Sequence, residues 1–163
     1  MPKRKKTVVV VSGAFDPLHV GHVRLFKAAR KLGDKLVVIL NNDNWLRAKK
    51  QHVFMPEHER QEIVEALESV DKVVLTRHHK NPKDMSVCGE LESVQPDIFA
   101  NGGDRDIQDA ANPMSSLNAD VLLCQKLGIK IVYNVGRGGK VQSSSWLLKG
   151  YMKKVNSKKR KKR

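Results

Sequence analysis

Two histidines three residues apart, His19 and His22, with Gly21 between them, follow a loop that reads Gly13-Ala14-Phe15-Asp16-Pro17-Leu18. Residues three apart share one face of a helix, so at the start of a helix both imidazoles project together. Gly21 removes a side chain that would block that face, and Gly13 lets the backbone turn sharply and come close to a ligand. The start of a helix also presents unpaired N–H groups and the positive end of its dipole, a setting that holds an anion. The chemistry within reach of this spacing is the binding of a phosphate chain, with two imidazoles donating hydrogen bonds to it.

Such a loop needs a support. Residues 7–11 are a short β-branched run that ends at Ser12-Gly13, the pattern of a strand buried on both faces. From 19 to 32, apolar residues recur at helical spacing until Gly33 supplies a stop. Further strands are predicted at 36–40, 73–75, 98–100 and 129–133, with helices opening at Pro56 and spanning 86–94, 117–127 and 143–153. Strands alternating with helices require a parallel sheet covered on both sides, so the expected class is α/β, a doubly wound sheet of five parallel strands. Ligands of such sheets sit beyond the carboxyl ends of the strands. The loops predicted there cover 13–18, 41–55, 76–83, 101 onward and 134–142, and they hold most of the unusual residues.

Charge is distributed unevenly. Of a net +14 over 163 residues, four positive charges lie in residues 1–6 and nine lie from Lys149 onward, which leaves residues 7–148 at +1. The expected organisation is a basic tail over 1–6, one domain over 7–152 and a second basic tail over 153–163, solvated and without regular structure. Contact with nucleic acid is expected only through these tails, which lack the interleaved aromatics of a stacking platform. Cys88 and Cys124 are too few for a disulfide framework and lack the spacing of a zinc site. The apolar run near the amino terminus is too short for a signal peptide or a membrane span, so a cytoplasmic protein is expected.

The segment Gly13-Ala14-Phe15-Asp16 with His19-Val20-Gly21-His22 resembles the signature of the cytidylyltransferase-like nucleotidyltransferases, a family that includes glycerol-3-phosphate cytidylyltransferase and the heptose-phosphate adenylyltransferases. The resemblance runs from about Val8 to Leu148 and implies a Rossmann-like nucleotidyltransferase fold. In that family the histidine pair binds triphosphate and stabilises charge during transfer. Lys49 and Lys50 are similar in place to family lysines that reach the phosphates, and either could do so. The stretch opened by Pro56-Glu57 looks like the family's second helix with its substrate-side Arg60, which the resemblance assigns, with Asn42, to the acceptor. Asn101-Gly102-Gly103-Asp104 resembles a Lys-Gly-Gly-Asp segment that helps form the base and ribose pocket, with Asn101 in place of the lysine. Ser143-Ser144-Ser145 looks like the family's Ser-Thr-Thr run, which holds the β- and γ-phosphates, and Arg137 stands near the family's arginine. Gly139-Lys140 is followed by Val141, so this loop is not a Walker loop.

The implied reaction moves a nucleotidyl group from a nucleoside triphosphate to a phosphorylated small acceptor and releases pyrophosphate. The Gly-Gly-Asp segment favours ATP over CTP, a sugar phosphate is the first acceptor and glycerol 3-phosphate the second. Mg²⁺ is the expected cofactor, held by phosphates and water rather than by a protein cage, and a homodimer is the family's common state. FAD or NAD synthesis stays open, because the serines and the arginine serve those acceptors equally well. A fragment of a class I aminoacyl-tRNA synthetase shares the His-x-Gly-His device, but the chain lacks a Lys-Met-Ser-Lys-Ser loop. A nucleic-acid-binding protein on an inactive transferase fold is the reading from outside enzymology. Residues 105–120 match nothing in the family and are expected to form a loop that closes over an acceptor.

Overall fold

The computed structural model describes residues 4–103, 105–136 and 142–160. Five strands form one sheet: β1 (Val8–Gly13), β2 (Lys35–Leu40), β3 (Lys72–Leu75), β4 (Ile98–Gly102) and β5 (Lys130–Val135). They lie in the order β3-β2-β1-β4-β5, and every pairing is parallel. The strand order reverses at β1, which is paired to β2 on one side and β4 on the other. The crevice above that reversal is where a doubly wound sheet takes its ligand.

Alternation along β1 sorts the core into two layers, because successive side chains of a strand point to opposite faces. Val9 and Val11 pack with Phe26 and Ala29 of helix α1 (Val20–Arg30) and with Val64 of helix α3 (Glu57–Glu65). Val10 packs on the other face, with Leu91 of α4 (Cys88–Val94), Ala110 of α5 (Ile107–Ala111) and Leu117, Val121 and Cys124 of α6 (Ser116–Leu127). Both layers are centred on fully buried side chains, among them Val9, Val10, Val11, Phe26, Leu91 and Leu117.

At the amino ends of the strands, aspartates hold the backbone in register. Asp34 accepts the Thr7 N–H at 2.8 Å, Asp71 the Leu36 N–H at 2.8 Å and Asp97 the Val8 N–H at 2.8 Å. The beginning of the basic amino-terminal segment rests on the same carboxylates, with Arg4 on Asp34 at 2.6 Å and Lys5 on Asp97 at 2.9 Å. Both cations are exposed, so these pairs add little stability.

Three elements differ from expectation. The predicted loop over 41–55 contains helix α2 (Asp43–Lys50), because Asn42 is its N-cap and accepts the Trp45 N–H at 3.0 Å. The unmatched stretch 105–120 begins with the short helix α5, capped by Asp106, and its end belongs to α6. The last helix, α7 (Ser144–Arg160), continues through the basic residues expected to be without regular structure. Runs of Asn, Asp and Ser favour turns and caps alike, and only the chain that follows decides between them.

Candidate active site

Helix α1 begins with a capping arrangement made by the two histidines themselves. His19 is the N-cap, its Nδ1 accepts the Gly21 N–H at 3.1 Å, and Nδ1 of His22 accepts the His19 N–H at 3.3 Å. An imidazole nitrogen that accepts carries no proton, so each ring keeps its hydrogen on Nε2. The rings stack with centroids 3.6 Å apart and planes 25° from parallel. Burial, then the His19 ring, then the Lys50 ammonium hold His22 down at about 3, and burial followed by Lys50 also lowers His19. The pair is therefore neutral near pH 7, two N–H donors rather than two cations.

Phe15 wedges this geometry in place. Its ring meets His22 edge-on at 4.9 Å and Phe26 at 4.9 Å, from a backbone in the left-handed region at φ 50°. Gly13 makes room for it, since a Cβ there would stand 2.8 Å from the Phe15 ring. Gly102 has an equivalent role on β4, where a Cβ would come within 2.6 Å of Leu25 and 2.9 Å of the Val135 carbonyl. These two glycines let α1 lie close over the strand ends.

A cavity of about 390 Å³ opens above those ends. Gly13, Ala14, Phe15, His19, Gly21, His22, Lys50, Gly102, Gly103, Ser143 and Ser144 line it, so the structure gathers most of the residues that spacing and resemblance proposed. The histidines come from α1, on one face of the sheet, and Ser116 and Asp120 come from α6, on the other. Between them, two buried side chains carry atoms with no hydrogen-bond partner among the described residues: Asn41 Oδ1 and Asn101 Nδ2. Both residues line the cavity. Buried polar groups are normally satisfied, so an unmatched acceptor and donor beside β1 mark places that a ligand or bound water completes.

Five predicted positions are placed elsewhere. Arg60 does not line the cavity. It is 1% exposed and spends its guanidinium on the carbonyls of Met55, Ala14 and Asn41 and on Asp43 at 2.7 Å. Asn42 is committed too, capping α2 and donating to the His78 carbonyl at 2.9 Å. Both carboxylate oxygens of the buried Asp16 are taken by the N–H groups of Phe54 and Met55, at 2.8 and 2.7 Å. Asp16 thus holds the loop over 13–18 from behind, against the segment before α3. Of the two lysines, Lys49 is exposed and Lys50 lines the cavity, where burial lowers its pKa. Ser145 is exposed and outside the cavity, whereas Ser144 is buried and donates to the Pro17 carbonyl at 2.9 Å. Asp104 and Arg137 lie outside the described residues.

The cavity also contains residues that no local signal marked. Arg24 stands on α1 among helical charges, Trp45 and Met85 read as ordinary apolar residues, and Asp120 sits in the unmatched stretch. Trp45 donates its indole N–H to the Met85 carbonyl at 2.9 Å, and Asp120 accepts the Val87 N–H at 2.8 Å. These bonds join α2, the segment before α4 and α6 into one continuous wall.

A doubly wound sheet with a two-histidine helix start facing a cavity over its strand reversal defines a nucleotidyltransferase. Residues 10–126 match the family model described as cytidylyltransferase-like, a span that includes the stretch 105–120 expected to fall outside the family, and the chain belongs to that family. It is 36% identical over 130 residues to an FAD synthase of Thermococcus sibiricus, covering 75% of this chain and 82% of the relative. It is 40% identical over 104 residues to the bifunctional protein HldE of Syntrophotalea carbinolica, covering 63% of this chain but 20% of that longer protein. Among solved structures, a lipopolysaccharide core biosynthesis protein from Thermoplasma volcanium superposes with a TM-score of 0.64 at 27% identity, covering 82% of this chain and 100% of that one. No helix among the described residues is long and apolar enough to cross a membrane.

Proposed function

We propose that this nucleotidyltransferase moves an adenylyl group from ATP to the phosphate of a small phosphorylated acceptor, a sugar phosphate first among them, and releases pyrophosphate. The observation that carries the reading is the stacked, neutral histidine pair with both Nε2–H groups free of the capping bonds that occupy Nδ1. The similarity to an FAD synthase supports adenylyl as the group transferred.

In this mechanism an oxygen of the acceptor phosphate forms a bond to the α-phosphorus of ATP as the bond from that phosphorus to the bridging oxygen breaks, and pyrophosphate leaves. The acceptor oxygen is already ionised, so no general base is required. Both reactants are anions, and the protein contributes alignment and hydrogen bonds that strengthen as charge moves onto the leaving group. His19 and His22 supply neutral donors, Lys50 supplies a positive charge, and the α7 start around Ser143 and Ser144 supplies amides. Among the described residues the cavity holds one carboxylate, Asp120, and no group of three metal-ligating side chains occurs. That donor set suits Mg²⁺ carried in on the triphosphate, which supplies charge neutralisation there.

A second acceptor is favoured by the extent of similarity to the FAD synthase and by the aromatic Trp45 in the cavity wall, namely riboflavin 5′-phosphate. Pyrophosphate release measured for ATP, CTP, GTP and UTP against hexose 1-phosphates, glycerol 3-phosphate and riboflavin phosphate tests both. ATP-dependent release with one acceptor class is expected. Release with CTP alone would reject the adenylyl assignment, and silence across the panel would reject the reaction.

A further inference from the structure

Helix α6 brings into the cavity a carboxylate that phosphate transfer does not need. Asp120 is 2% exposed, and both hydrogen bonds given to it by described residues, from the Val87 N–H at 2.8 Å and the Cys88 thiol at 3.6 Å, fall on Oδ1. Ser116, one helical turn earlier and on the same face, lines the cavity with it. Around them the wall is formed by the apolar Trp45, Met85 and Val87, with the Arg105 guanidinium, among the described residues, as the one cation that bears on the carboxylate. The histidines and Lys50, which answer to phosphate, belong to other elements.

We propose that Asp120 is a specificity-determining residue for the acceptor: its Oδ2, with the Ser116 hydroxyl beside it, takes a hydrogen bond from an O–H or N–H group on the part of the acceptor remote from its phosphate. This rests on the transfer reaction proposed above. The position selects acceptors that carry a donor there and rejects those that carry a second anion, because two negative groups would meet in a poorly solvated wall. Holding the Val87 amide does not require a carboxylate, since an amide oxygen in the same place would do it. Burial pushes the Asp120 carboxyl up to about 7, so the fold bears a cost for keeping an acid here. Groups that bear a cost in stability inside a ligand cavity are the ones a ligand uses.

The replacement Asp120→Asn separates these roles, because it keeps the oxygen that holds Val87 and turns the other into a donor. Wild type, D120N and S116A are assayed for pyrophosphate release with ATP and three probes: glucose 1-phosphate, glycerol 3-phosphate and riboflavin phosphate. For the probe that wild type uses, D120N is expected to raise the acceptor KM roughly 10- to 100-fold, the scale of losing a hydrogen bond to a charged group. The KM for ATP should stay within about twofold, and S116A should give a smaller change in the same direction. Thermal unfolding at pH 8 is expected to show D120N at least as stable as wild type. An unchanged acceptor KM, an equal rise in both KM values, or loss of activity together with a lower Tm would overturn the assignment. No release from wild type with any probe would overturn the reaction itself, and this inference with it.

Discussion

A histidine that is neutral at pH 7 binds phosphate differently from one that is charged. In the free protein His22 is held at about 3 by burial, His19 and Lys50. Each Nδ1 is occupied by a capping N–H, so ATP is expected to meet the pair in its neutral form, two Nε2–H donors. Calorimetry of ATP binding in buffers of different ionisation enthalpy is expected to show no proton uptake that H19A/H22A removes, and uptake lost in that variant would reject the neutral pair. Replacing either histidine by alanine should lower turnover on the order of 10²-fold, as for loss of one preorganised donor. Asp120 titrates in the opposite sense. Burial raises it to about 7, Asp84 pushes it further up, and Val87, Cys88 and Arg105 pull it down, with Cys124 close by on the same helix. Its charged form is therefore lost as pH falls through about 7, and the acceptor KM should rise between pH 8 and pH 6 in wild type but stay flatter in D120N. The histidine pair was legible because its meaning is local: spacing, a glycine and a helix start. The burial of Arg60 was not legible because a helix arginine normally faces water, and two of the three carbonyls that hold it, those of Ala14 and Asn41, come from distant parts of the chain. Asp120 had no local mark at all.

Helix α3 acts on the site at one remove. Through Arg60 it fixes the carbonyl of Ala14 in the phosphate loop and that of Asn41 at the end of β2, and it pairs with Asp43 at the start of α2. Helix α2 then carries Lys50 to the cavity from its last turn. Removing one partner of a buried ion pair typically costs about 3–5 kcal/mol, and Arg60→Met is expected to lose stability on that scale in denaturant titration. Turnover should fall with it while the acceptor KM does not change selectively. Helix α7 touches the loop from the other side through the Ser144 hydroxyl on the Pro17 carbonyl, a contact 127 residues apart in sequence. Strands and long helices were legible from periodicity because burial imposes it. The short α2 and α5 were not, since Asn41-Asn42-Asp43-Asn44 has the composition of a turn until its second residue is seen to cap a helix.

At the scale of the molecule, the two cavity walls belong to layers on opposite faces of the sheet, so the site closes only when both layers have packed. The expected dimer has a candidate surface on α7, where Leu147 is 40% exposed, Tyr151 65% and Met152 53%. Light scattering should report a dimer that L147E/Y151E converts to monomer, and a monomeric wild type would reject that surface. The single five-stranded parallel sheet was readable from the alternation of strands and helices, and the charge map from simple counting. The course of the chain through the carboxy-terminal basic residues was not, since helix there continues from the apolar turns before it.

The two ends of the sheet are finished in different ways, and that difference bears on how readily the enzyme could change its substrate. At the amino ends, Asp34, Asp71 and Asp97 fasten the strands, well away from any ligand. At the carboxyl ends, Asn41 and Asn101 are left with unmatched atoms. Residues that secure the architecture and residues with unmatched atoms beside the cavity are thus different sets on opposite rims. A library confined to Asn41, Asn101, Ser116 and Asp120 can explore new acceptors while the fasteners stay untouched, and most of its members should remain folded.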